Sequence, residues 1–118
     1  MNAISYSLFG YNQQHENCYD FRAYLRGLHL NIRIAELLYP GWQVVVMIDQ
    51  SVTESPYVNL FYELDKERKI DLYIMPTAEL CRMMLYRLYP MFLYDNPLEG
   101  LKFRYDRIIC RDTDSLLS

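Results

Sequence analysis

The sequence predicts an α/β fold, one parallel sheet with helices on both faces, and three observations carry that expectation. Short apolar runs alternate with segments of helical period, in the order β-α-β-α-β-α-β. The run Val44 to Ile48 is apolar at every position, as in a strand buried on both faces. The segments between runs are long enough for the crossover helices that parallel pairing requires.

Ala3 to Phe9, the first element, carries Ile, Tyr and Phe and is closed by Gly10, which suits a strand ending in a turn. A polar loop, Tyr11 to Tyr19, leads to Asp20, after which Phe21, Tyr24, Leu25, Leu28, Ile32, Ala35 and Tyr39 recur at helical spacing. Asp20 is placed to cap that helix and Pro40-Gly41 to stop it. Val44 to Ile48 is the central strand. Ser55-Pro56 supplies a cap and a first-turn proline for a second helix, whose face is Leu60, Phe61 and Leu64 and whose end is the charged stretch Asp65 to Lys69. Ile70 to Met75 is a third strand. Pro76-Thr77 opens a third helix with the stripe Leu80, Met83, Met84 and Tyr86 to Leu88, closed at Pro90. After the loop Met91 to Leu101, Phe103 to Cys110 is a fourth strand.

The 118 residues, 52% apolar and 23% charged, suffice for one domain with a hydrophobic core. A formal charge of −3 argues against nucleic acid as the main partner, because binders of a phosphate backbone carry a basic surplus. The longest purely aliphatic and Met run is too short to cross a bilayer, and the first ten residues lack the basic leader of a signal peptide. Cys18, Cys81 and Cys110 are odd in number and widely spaced, so neither a disulfide framework nor a zinc site is expected, and a reducing, cytoplasmic location fits. His15 and His29 have no partner at metal-ligand spacing and read as structural.

In parallel sheets ligands bind beyond the carboxyl ends of the strands. The candidate segments are therefore Ser7 to Tyr11, Asp49 to Thr53, Met75 to Thr77 and Arg111 to Ser115. Neither G-x-G-x-x-G nor a P-loop occurs, so phosphate must be held in another way. Asp112-Thr113-Asp114 offers one, since two carboxylates two residues apart can place oxygens around a divalent cation that bridges phosphate oxygens. An alternative for the pair is a surface turn in which one carboxylate caps the next segment of backbone.

Four pieces together resemble the GT-A glycosyltransferases, enzymes that use nucleoside diphosphate sugars. They are Ile4-Ser5-Tyr6-Ser7-Leu8-Phe9-Gly10; Tyr24-Leu25-Arg26-Gly27, similar to the Y-x-x-G of glycogenin-like enzymes; Cys81-Arg82-Met83-Met84-Leu85-Tyr86-Arg87-Leu88; and Tyr105 to Ser115 with its D-x-D. The resemblance implies a Rossmann-like donor-binding half of a GT-A domain over residues 1–118, truncated at its carboxyl end, since such a domain continues with acceptor-binding elements. It implies Mn²⁺ or Mg²⁺ at Asp112 and Asp114, and a nucleoside diphosphate sugar, UDP-sugar favoured, as partner. It places Ser7, Leu8, Tyr24, Asp49, Arg82, Asp112 and Thr113 at that ligand, with Tyr24 against the base, Asp49 accepting from a uracil ring, and Arg82 as the catalytic cation on the departing diphosphate. Core packing is the competing role for Tyr24, turn capping for Asp49, and a solvated or salt-bridged role is expected for Arg87. Arg111 departs from the family's aliphatic run and is placed either to pair with Asp112 or Asp114 or to contact phosphate. Two other functions compete with the transferase: a non-catalytic nucleotide-binding or interaction module derived from such an enzyme, and a phosphotransferase of the D-x-D-x-[TV] class. The latter fits poorly, because Leu116 stands at its fifth position.

Overall fold

The computed structural model describes residues 2–13, 20–88 and 105–113. They form a four-stranded, all-parallel sheet with helices: β1 (Asn2–Leu8), α1 (Phe21–Leu38), β2 (Trp42–Asp49), α2 (Gln50–Thr53), α3 (Val58–Lys66), β3 (Ile70–Met75), α4 (Leu80–Met83) and β4 (Arg107–Cys110). One-turn 3₁₀ segments lie at Tyr11–Gln13 and Tyr86–Leu88. No helix among the described residues is long and apolar enough to cross a membrane.

The spatial order of strands is β3-β2-β1-β4. The two pairs flanking β2 and the pair of β1 with β4 are in continuous parallel register, Ile4 opposite Val44 and Ile109, and Val46 opposite Leu72. Because side chains alternate along a strand, each face has its own core. On one face Ile4, Tyr6, Leu8, Val44, Val46, Ile48, Ile70 and Leu72 pack against Phe21, Leu25, Leu28, Ile32 and Ala35 of α1 and Phe61 of α3. On the other, Ala3, Phe9, Val45 and Met47 meet Met83, Tyr86 and Tyr105. Phe21 and Phe61 are fully enclosed, and burial of each contributes about 1.5–3 kcal/mol.

Topology explains this division. From β1 to β2 to β3 the chain moves stepwise in one direction, so right-handed crossovers put α1 and α3 on the same face. From β3 to β4 the strand order reverses past β2 and β1, and the same handedness agrees with the described part of that connection, Ala78, Met83 and Tyr86, packing on the opposite face. Helical segments thus lie on both faces as expected, but the second face receives only α4 and the 3₁₀ turn among the described residues.

That is the main correction to the expected elements. The single helix from Thr77 to Pro90 is instead two separate turns, Leu80–Met83 and Tyr86–Leu88. Met83 to Tyr86 is apolar at every step and offers no unique stripe; the sheet takes Met83 and Tyr86, while Met84 and Leu85 are half exposed. The Tyr86 hydroxyl donates to the Pro76 carbonyl at 2.6 Å, a bond that draws the second turn back to the end of β3. The second long helix begins later than Ser55-Pro56 implied. The Ser55 hydroxyl donates to the Val52 carbonyl and accepts from the Tyr57 amide, closing a turn, and α3 begins at Val58 with no side-chain cap. In contrast, Asp20 does cap α1, accepting from the Ala23 amide at 3.2 Å. The first two strands are displaced or lengthened by one or two residues, β3 matches its expected bounds, and β4 begins at Arg107. Phe103 lies outside the described residues, and Tyr105 and Asp106 precede the strand.

Candidate functional site

Reversal of strand order falls between β1 and β4. The chain leaves β1 for α1 on one face of the sheet, whereas the turns that precede β4 lie on the other, and in open parallel sheets ligands bind beyond the carboxyl ends of the strands at such a reversal. β4 is short: its last residue, Cys110, stands opposite Ser5, so β1 runs three residues further, roughly 10 Å at the usual rise per residue. The space beside Tyr6 to Leu8 is taken by the turn Arg111-Asp112-Thr113, whose first amide extends the ladder by donating to the Ser5 carbonyl at 3.0 Å.

This turn is held from both faces of the sheet. From the α1 side, the buried Asn31 side chain donates its amide to the Thr113 carbonyl at 3.4 Å, and Thr113 itself is buried. From the opposite side, the Cys110 thiol contacts the Arg87 carbonyl at 3.3 Å, and Arg87 Nη1 lies 3.0 Å from Asp112 Oδ1. Burial pushes the Cys110 thiol pKa up, and the Arg87 charge opposes that shift. Arg87, Cys110, Arg111 and Asp112 line one open depression of about 290 Å³. Its lining therefore includes two guanidinium-bearing residues and one carboxylate, a setting suited to an oxyanion.

Asp112 is more than half exposed, and its Oδ2 makes no hydrogen bond or ion pair among the described residues. Mg²⁺ and cations like it keep much of their water, binding through one or two carboxylates plus substrate phosphate oxygens. Asp112 presents a single hard oxygen donor of this kind, beside the guanidinium of Arg87. Among the described residues no three His, Cys, Asp or Glu side chains come together as a closed protein cage. Asp114 lies outside the described residues.

The remaining candidates divide clearly. Leu8 is wholly buried in the α1-side core and Ser7 is buried in β1, so the side chains of both face protein. Tyr24 is half-buried and packs against the α1-side core. Arg82 is exposed, and among the described residues no ion pair or side-chain hydrogen bond joins it to Asp112; Arg87 makes that contact. Arg87 is thus salt-bridged, one of the two roles expected for it.

Asp49 is fully buried, with four donors on its carboxylate. Oδ1 accepts from the Gly10 amide and the Ser51 hydroxyl, each at 3.0 Å; Oδ2 accepts from the Ser51 amide at 3.1 Å and the Thr77 hydroxyl at 2.7 Å. These fill the roughly four lone-pair sites of a carboxylate. Asp49 also caps α2, as the competing role for it required. The segments after β1, β2 and β3 are therefore tied to one buried charge. Gly10 sits there with φ +75°, a backbone conformation that glycine adopts without penalty.

Two of these residues were not among the sequence candidates. Asn31 falls at a buried position of a helix that is otherwise apolar on that side, and a polar residue there is the signal that could have marked it. For Arg87 no local signal exists, because its approach to Asp112 depends on where the preceding helix breaks. No protein-family model matches the chain, and neither the curated proteins nor the solved structures compared with it contain a match.

Proposed function

We propose that the chain is the donor-binding side of a metal-dependent glycosyltransferase with a Rossmann-like, GT-A type arrangement. In this reading it holds a nucleoside diphosphate sugar, a UDP-sugar by preference, for transfer of the sugar to an acceptor hydroxyl. The observation that carries it is the position of Asp112, one turn past β4 at the place where strand order reverses, beside Arg87 and Arg111. Asp112 and Asp114 would hold Mn²⁺ or Mg²⁺, which neutralises charge on the departing diphosphate. The chain's own residues do the rest. Asn31 and the Arg87 carbonyl fix the turn, Arg87 and Arg111 supply positive charge for phosphate oxygens, and the partly exposed Tyr24 offers an aromatic surface for a base. Arg82 retains the role of leaving-group cation that the family resemblance gives it. Asp49 acts by holding the loops in place.

Titration with UDP in the presence and absence of Mn²⁺, on the native chain and on Asp114→Ala, tests the reading. Metal-dependent UDP binding that is lost in Asp114→Ala is expected. Equal affinity with and without metal would overturn it.

A further inference from the structure

At the amino ends of β2 and β3, the edge of the sheet opposite Asp112, a second cavity of about 370 Å³ lies between the last two turns of α1, the start of β2 and the residues just before β3. Part of its lining is aliphatic and buried: Ile32, Ala35 and Val44. Tyr39 and Trp42, both half-buried, supply an aromatic part. The Trp42 amide donates to the Tyr39 carbonyl at 3.0 Å and closes a tight turn, and the two rings meet edge to face with centroids 5.8 Å apart. Glu36 and Arg68 line the same cavity with opposite charges, and neither makes an ion pair among the described residues. Lys69, the remaining charged residue there, lies 3.8 Å from Glu67.

Arg68 occupies its place at a backbone cost. It follows the end of α3 with φ +61°, its amide donating to the Asp65 carbonyl at 3.0 Å and the Lys69 amide to the Leu64 carbonyl at 2.9 Å. These two bonds close the helix through a left-handed residue, a position that glycine fills without penalty. Arg68 is the only residue other than glycine with positive φ among the described residues. An arginine kept in that conformation points to a use for its side chain. We infer that the cavity binds a free α-amino acid with an apolar side chain, at a site separate from the donor-binding edge. Its lining holds a counterpart for each group of such a ligand. The Arg68 guanidinium suits the carboxylate; Glu36 and the carbonyl end of α1, whose last turn carries no basic residue, suit the ammonium; the aromatic pair and the aliphatic residues suit the side chain. One molecule thus neutralises both unpaired charges, which neither end of a peptide does. The volume falls within the roughly 300–1,000 Å³ of small-molecule pockets. Neither metal nor nucleotide takes part, so the site stands independently of the donor-binding function.

Trp42 is the only tryptophan of the chain, so its fluorescence reports on this cavity directly. Titration with L-leucine is expected to change its emission saturably, with a midpoint on the order of 0.1–1 mM that calorimetry reproduces. Isocaproate, which lacks the ammonium, and isoamylamine, which lacks the carboxylate, should each bind about tenfold more weakly or worse. Arg68→Gly should lose about tenfold or more in leucine affinity while its urea midpoint equals or exceeds that of the native chain, because glycine relieves the backbone. Binding and stability then move in opposite directions, which structural damage does not produce. Glu36→Gln should weaken leucine binding and leave isocaproate binding unchanged. If Arg68→Gly fails to fold, Arg68→Gln provides the same binding test. Absence of leucine binding by both fluorescence and calorimetry overturns the site. Isocaproate or isoamylamine binding as tightly as leucine overturns the amino-acid class, and undiminished leucine affinity in the Arg68 or Glu36 variants overturns the roles given to those residues.

Discussion

Replacing Asp49 with asparagine would change one atom of the side chain and disconnect the carboxyl edge of the sheet. The carboxylate accepts two backbone amides on different oxygens, Gly10 on Oδ1 and Ser51 on Oδ2. An asparagine has only one carbonyl oxygen, so one of those amides must face its NH₂ group. The two hydroxyl donors, Ser51 and Thr77, can rotate to accept from that NH₂, which limits the damage. The cost is one orphaned buried amide, about 1–3 kcal/mol, plus the loss of charge assistance in the bonds that survive. Relief from burying a charge offsets part of this. A net loss of about 2–4 kcal/mol results, with a larger loss for Asp49→Ala, which leaves both amides unsatisfied. Urea unfolding followed by circular dichroism measures it as a lowered midpoint at unchanged slope. If Asp49→Asn unfolds within about 0.5 kcal/mol of the native chain, the four bonds are not what holds these segments together.

Buried polar atoms elsewhere in the fold give further expected outcomes. The Tyr6 hydroxyl is buried with no hydrogen-bond partner among the described residues, so Tyr6→Phe should leave stability unchanged or raise it by up to about 1–2 kcal/mol; a clear loss in thermal or urea unfolding would count against the orphaned hydroxyl. Asn31→Ala should cost about 1 kcal/mol and speed hydrogen exchange at the Asp112 and Thr113 amides while leaving Val45 to Met47 unaffected, and unchanged exchange at the turn would show that Asn31 does not anchor it. Tyr105 and Tyr6 are both held above the ordinary tyrosine range, Tyr105 by burial and then by its 2.6 Å bond to Asp71, Tyr6 by burial. Unfolded tyrosine titrates near pH 10, so the unfolded chain gives up these protons first, and stability present below about pH 10 falls above it by roughly 2.7 kcal/mol per pH unit for the pair. Urea midpoints that stay level between about pH 9 and pH 11 would refute this.

Periodicity is what made parts of the fold legible in the chain. α1 has a single apolar stripe, a capping Asp20 and a Pro40-Gly41 stop, so sequence and structure agree to within a residue at each end. β2 is apolar at each position from Val44 to Ile48 because helices or turns cover both of its sides, a consequence of lying inside the sheet. The connection to β4 was not legible for the complementary reason. Met83 to Tyr86 is apolar throughout, so a periodic stripe can be drawn through it in more than one way, and the choice is made by the sheet face it covers. Ser55 shows the same limit at smaller scale: a good cap residue is a good turn residue, and its hydroxyl closed a turn on Val52 instead.

The site divides along the same line. The carboxyl edge was foreseeable, because parallel strands direct their free ends there, and Asp112 stands at that edge. Which cation faces Asp112 was not. On an unbroken helix Arg82 and Arg87, five residues apart, would point roughly 140° away from each other, and the one nearer the expected strand end would depend on the helix's rotation. The break at Met84 and Leu85 frees the second turn to be placed by its own contacts, the Tyr86 hydroxyl on Pro76 and the Arg87 carbonyl on Cys110. Those contacts bring Arg87 to Asp112 and leave Arg82 in solvent. A helix that fails to form as one piece is thus what supplies the ion pair. The separation of the Leu80–Met83 and Tyr86–Leu88 turns and the charge arrangement at the candidate site have a single cause.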